Sequence, residues 1–409
     1  MSRKAFIVII AVILAFFGAI GWYFISGDKS GTNSGNTDVD SSNPFPFGQG
    51  PASNGNANTG SGDQTGDASS GGTIDLSGNQ TGPARLRRIS TVPTAGAVAF
   101  DVGSSTIIRY VERATGHVIE TGSDSSSSDQ ISNITIPKIR EALWATNGQN
   151  VVLRYLKDNE GTIRTFLGRI STTTKTIEGT FLADDIENIA VLGSRIFYLD
   201  ESMSGAQGYR ANIDGTGKTG VFNSSFGDWK ATWASNSVLL FARPSAGMQG
   251  SAYILDMSTG AMVPTIDRIP GLQGLLSSDE AFMLYTGANG NSMGTAVYDV
   301  KKAVKRDLDI GTIIDKCVWS KKEKTVVYCA IPKSPAAASY PDDWYKGKVA
   351  FADSLWKIDA VTGETTDILD PELEAGISMD IVNPSLDQGE NVIVFTDKND
   401  LTVWRLNLK

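Results

Sequence analysis

The chain has 409 residues, 36 Lys and Arg against 45 Asp and Glu, a formal net charge of −9, one histidine and two cysteines. That acidic balance excludes nucleic acid as the main partner, because phosphate binding needs a basic face that releases counterions. One histidine and two cysteines leave no complete set of ligands for a closed zinc site, and the length suits either two ordinary domains or one large all-β domain with appendages.

In chain order, residues 1–4 are a short cytoplasmic end, and residues 5–25, AFIVIIAVILAFFGAIGWYFI, carry no charge over 21 positions. As a helix they would span about 31 Å, which matches the hydrocarbon core of a bilayer. Arg3 and Lys4 precede the segment and Trp22 and Tyr23 lie at its far end. Positive charge inside and aromatic rings at the interface predict a single-pass transmembrane helix with the N-terminus inside and the rest of the chain extracytoplasmic. A cleaved signal peptide is the alternative, but its apolar part is shorter and ends in small residues, which GWYFISGD does not supply. No cysteine occurs before Cys317, which excludes a lipid anchor on an N-terminal thiol.

Residues 26–83 change to Gly, Ser, Asn, Thr and Asp, with Lys29 the only basic residue. Such a stretch buries too little apolar surface to offset its ordering entropy and reads as a disordered linker. Treated as a Gly/Ser coil, it reaches roughly 40 Å, enough to hold a folded domain clear of a membrane.

Residues 84–409 contain no clear amphipathic helical period, and they repeat. An apolar residue, often Trp, a polar turn and a β-rich run recur as ALWATNGQNVVLRYL, ATWASNSVLLFARP, GLLSSDEAFMLYTG, CVWSKKEKTVVYCA and VNPSLDQGENVIVF, with weaker copies in AVAFDVGSSTIIRYV and IAVLGSRIFYLD. A second hairpin follows each, as in SAYILDMSTGAMVPT and DSLWKIDAVTGETTDIL. Period-2 runs bounded by Gly, Asn, Asp and Thr-Gly are hairpin signals, and two hairpins every 40–50 residues is the period of a propeller blade.

These units resemble the WD40-like repeats of TolB-type β-propellers, whose Trp-Ser-Pro-Asp-Gly turn is approximated by WSKKEK, WATNGQ and PSLDQGEN. The likeness runs from Arg85 to Lys409 and implies an all-β fold, a β-propeller of four-stranded blades. The Trp is missing from four units and the Asp-Gly pair from most, which leaves the count between six and seven. The last unit is one strand short while ARLRRIS is an orphan strand at the other end, so pairing the termini favours seven and leaves no open edge.

Strand order then locates the longest insertion. With strands a to d in each blade, the d-to-a and b-to-c connections share one face, and residues 332–353 join b to c in the sixth unit. Within SYPDDWYKG, the residues Tyr340, Asp342, Asp343, Trp344, Tyr345 and Lys346 are the candidate partner contacts, since Tyr and Trp are favoured anchors on rigidly held loops. The other reading has these aromatics folding back over the side of their own blade. Trp144, Trp233 and Trp319 occupy one repeat position, and Trp356 and Trp404 another, as blade-to-blade packing requires.

Cys317 and Cys329 flank a hairpin symmetrically and form either a cross-strand disulfide or two buried thiols. His117, in the turn RATGHVI, is read as a surface residue on the face opposite the insertion, with no nucleophile beside it. SLDQGENV partly resembles the Asp-box of sialidase propellers but lacks its final Trp, so it reads as the propeller's own turn. DKND at Asp397 lacks the glycine and spaced glutamate of an EF-hand loop. No cofactor, metal or catalytic residue is assigned. The expected function is an interaction or scaffold module of the cell envelope that binds envelope or surface proteins and is held by the membrane through its N-terminal helix. The resemblance to TolB-type propellers implies the same. The alternative is a propeller hydrolase or lyase acting on envelope glycans, which requires converging carboxylates in the channel mouth with one pKa raised.

Overall fold

The computed structural model describes residues 84–157, 161–242 and 245–408; the expected membrane helix 5–25 and linker 26–83 lie outside them. Among the described residues no helix is long and apolar enough to cross a membrane.

Seven antiparallel four-stranded sheets follow one another along the chain, so the propeller has seven blades. Blades 1 to 6 comprise residues 94–130, 139–181, 188–224, 229–270, 273–308 and 317–369. Blade 7 takes three strands from the C-terminal end, Ile381–Leu386, Val392–Asp397 and Thr402–Asn407, and its outermost strand, Leu86–Arg88, from the N-terminal side. The innermost strands of successive blades lie against each other around a central channel.

Burial explains the sequence pattern. The second strand of a blade is covered on both faces by neighbouring blades, so it reads as a continuous apolar run; Val151, Val152 and Leu153 are all fully buried. The outermost strand faces solvent and reads as polar, as in Val304–Leu308. Period 2 is clear only between these extremes.

The closing joint pairs Leu86 with Leu406 and Arg88 with Trp404. Arg405, buried to 1%, fastens the joint to blade 1 by donating to the Ser123 carbonyl at 2.9 Å and to Asp124 at 2.7 Å.

Blades are also stapled to their neighbours at the channel wall. The Trp144 indole N–H donates to the Gly96 carbonyl of blade 1, and that of Trp319 to Leu275 of blade 5. A Cβ on Gly96 would lie 2.1 Å from the Ala142 carbonyl, so only glycine permits this approach. On the face opposite the insertion, Glu390 in the turn DQGE accepts from the Ser320 hydroxyl and the Lys322 N–H of blade 6, while Glu280 in SSDE accepts from Asn236 and Ser237 of blade 4. The Asp-box-like stretch is therefore one of these inter-blade turns.

Candidate functional site

The insertion leaves blade 6 between strands Val326–Pro332 and Asp353–Asp359 and contains a single helical turn, Asp342–Tyr345. It does not cover the side of its own blade. Instead it lies across the rim of blades 4 to 7 and is tied to each of the others. The Asp342 carboxylate accepts the Ala246 N–H of blade 4 at 2.5 Å, the Ala338 N–H donates to the Asn291 carbonyl of blade 5 at 3.1 Å, and Lys398 of blade 7 donates to the Trp344 carbonyl at 3.1 Å. Gly271, between blades 4 and 5, has φ +62, and a Cβ there would meet Pro341 at 2.9 Å, so the insertion needs glycine beneath it.

The aromatic residues supply the adhesive. Tyr340 and Trp344 are 1% and 2% exposed and pack with Phe351, Ile313 and Val382. Trp344 stacks on Phe351 with ring centroids 6.2 Å apart. These two therefore present no surface to a partner, which corrects the expectation that all six residues are contacts. A loop carrying this much apolar area gains more by covering the rim than by standing in water.

The other four divide differently. Asp342 holds blade 4 as described. Asp343 is half-buried, pairs with Lys348 at 2.8 Å and accepts the Ser339 N–H. Tyr345 is 40% exposed but turns its hydroxyl inward, donating to Asp315 at 2.8 Å and accepting from Lys230 and Gln273. Burial of that hydroxyl, and then the Asp315 charge, hold its pKa well above the usual phenol range. Lys346 is exposed.

Beneath Trp344 lies a charged cluster that no local pattern in the sequence announces. Lys316, at the end of the 3-10 turn Ile314–Lys316, is completely buried, as are Asp353 and Asp380. Its Nζ stands 2.6 Å from Asp353, 2.5 Å from Asp380 and 3.0 Å from the Ile381 carbonyl. The Trp344 indole N–H donates to Asp380 at 3.0 Å, and the Phe351 N–H donates to the same carboxylate. One oxygen of Asp353 accepts the Ile381 N–H at 2.7 Å while the other has no partner. Burial pushes the Asp353 pKa up to about 6 against the pull of Lys316, and burial also raises that of Asp397, which accepts the Asp380 N–H.

This cluster fixes geometry and offers no reactive surface. A buried pair of this kind sets register, since each charge is tolerated only when its partners are in place. Among the described residues no group of three or more His, Cys, Asp or Glu could hold a metal ion, the Asp397 turn included.

Two further placements follow from the strand order. Cys317 and Cys329 stand opposite each other in register and are joined by a disulfide across the first two strands of blade 6. His117 joins strand Ser105–Glu112 to strand Val118–Gly122, a b-to-c connection, so it lies on the insertion face rather than the opposite one. Its ring is 3.2 Å from the Thr135 hydroxyl and 4.0 Å from Glu112.

No protein-family model matches the chain, and no curated protein matches it. Among solved structures, it is similar to the tricorn protease at 10% identity and a TM-score of 0.51, over 81% of this chain and 34% of that one. It is also similar to an oligogalacturonate lyase in complex with manganese, at 9% identity and a TM-score of 0.49, over 78% and 97% of the two chains. TolB from Acinetobacter baumannii is similar at 13% identity and a TM-score of 0.43, over 63% and 62%. The chain spans about a third of the tricorn protease chain, and at that identity the likeness is one of propeller fold alone.

Proposed function

We propose that the protein is a single-pass membrane protein whose extracytoplasmic propeller binds a protein of the cell envelope through the insertion face. The observation that carries this reading is the anchoring of residues 332–353 across four blades, which makes a long loop into a rigid platform. Its outward side presents Tyr345 and Lys346, and the adjoining connections of blades 3 and 4 on the same face expose Met203, Phe226 and Met248. Aromatic and Met side chains mixed with basic groups on a preorganised surface suit a protein partner. The Cys317–Cys329 bond supports an oxidising compartment, and with it the outward orientation given by residues 1–25.

Glycan cleavage ranks second. The carboxylates it calls for do converge, and that of Asp353 is raised, but they meet under Trp344 with no exposure and share one lysine. A photo-crosslinking side chain placed at Lys346 or Met203, and at the opposite-face residue Lys302, separates the readings in intact membranes. A discrete protein adduct from the first two positions and none from Lys302 supports the interaction module. Equal labelling from all three, or none from any, removes it. Release of the protein from the membrane fraction on deletion of residues 5–25 tests the anchor.

A further inference from the structure

The insertion, which ends over blade 7, does not extend over blades 1 and 2, and from blade 7 round to blade 2 all three innermost strands break their regular pairing. Ala95 is unpaired between Thr94 opposite Glu112 and Gly96 opposite Val111. Arg140 is unpaired between Ile139 opposite Tyr155 and Glu141 opposite Arg154. Asn383 and Pro384 fall between Val382 opposite Thr396 and Ser385 opposite Val394, with Asn383 at φ 51. A bulge bends its strand and redirects a side chain, and bulges gather at rims and beside binding sites.

The three bulges frame a cavity of about 420 Å³, a size within the usual range for ligand sites. Its lining is cationic in an acidic protein: Arg113, Arg140 and Arg154 stand against one carboxylate, Glu141. Arg154 is held in place, donating to Glu141 at 2.5 Å and to the Ile186 and Glu187 carbonyls at 2.6 and 3.1 Å, while its buried Nε has no partner. The side chains of Arg113 and Arg140 make no hydrogen bond or ion pair among the described residues. Deeper in, the channel opens into about 300 Å³ walled by Ala97, Ala99 and Ala142, with Lys321 also in the lining.

We propose that this part of the mouth binds a small anionic ligand, its carboxylate or phosphate group held by Arg113 and Arg140. The planar guanidinium forks match either group and bind it in pairs of hydrogen bonds. A cleft lined by one sign of charge concentrates the opposite sign, and its walls strengthen the contact relative to open water. Glu141 neutralises only the arginine it positions, which leaves two cationic forks for the ligand. The small side chains below give the rest of the molecule room to descend. This site is independent of the envelope partner, since none of its residues belongs to the insertion.

The test is calorimetric titration of the full-length protein, in mild detergent and phosphate-free buffer, with citrate and with pyrophosphate. The expected result is saturable one-to-one binding of at least one probe, weakened at least tenfold in Arg113→Ala/Arg140→Ala. A control that removes the same charge from exposed positions elsewhere, Arg169→Ala/Lys305→Ala, should bind as the parent does. Citrate alone assigns a carboxylate ligand, pyrophosphate alone a phosphate, and both assign an anion site open to either. No saturable binding of either probe, or equal weakening in the two variants, overturns the proposal. Should the alanine variant fail to fold, Arg113→Lys/Arg140→Lys keeps the charge and loses the fork, and unchanged affinity there is likewise contrary.

Discussion

The two halves of the channel mouth handle charge in opposite ways. Beneath the insertion, at blades 6 and 7, a lysine and two aspartates are stripped of water, paired and sealed under Trp344 and Phe351. At blades 1 and 2 two arginines remain unpaired beside a cavity. Buried charge demands partners and exposed charge does not. The first half therefore answers to stability and the second to binding, and substitutions should separate them.

The largest effect is expected from Lys316→Met, which leaves Asp353 and Asp380 facing each other without a cation. Loss of one partner from a buried ionic cluster costs about 3–5 kcal/mol, read as a lowered midpoint in denaturant unfolding. Replacing both cysteines by Ala should cost about 2–3 kcal/mol, because residues 317 and 329 close a short loop in blade 6. Trp344→Phe keeps most of the apolar cover but removes one donor to Asp380, which retains Lys316 and the Phe351 N–H, and about 1–3 kcal/mol is expected for the loss of a hydrogen bond to a buried charge. Arg113→Ala/Arg140→Ala should sit within about 0.5 kcal/mol of the parent, since neither side chain holds the fold. A large loss there would erase the distinction between the halves.

The pH dependence gives the subtlest reading. Asp353 has its pKa raised in the folded state from 3.8 to about 6, so the native protein binds that proton more tightly than the unfolded chain. Its contribution to stability is fully present below about pH 3.8 and is lost as pH rises through about 6. Asp353→Asn lacks this dependence, so its stability relative to the parent should improve between pH 4 and 7. A difference that stays flat over that interval would mean the carboxylate remains ionised throughout.

The ring was legible because each blade repeats the same local chemistry, and the closing joint because one terminus lacked a strand and the other had one to spare. The insertion's face followed from strand order alone. Its resting place did not, because the fate of Trp344 depends on Asp380 and Lys316, 36 residues further along and 28 residues back along the chain. Those two sit in connections with no repeat identity. Arg113, Arg140 and Arg154 were silent for a similar reason: each is an ordinary strand or turn residue until the three bulges turn one rim toward the channel. The face of His117 is not legible in the sequence because the first unit lacks both the Trp and the Asp-Gly marker. Without them, the alternation of turns from face to face is easily miscounted by one.

The joint that closes the ring also has a mechanical meaning. Residues 84–85 lead straight into Leu86–Arg88, a three-residue strand with three register pairs to Thr402–Asn407. Any tension arriving through the N-terminal part of the chain is borne first by those pairs and by Arg405 behind them, before a single complete blade is loaded. The clasp would let go ahead of the blades it holds together, so pulling on the chain from this end would open the circle rather than unravel a sheet.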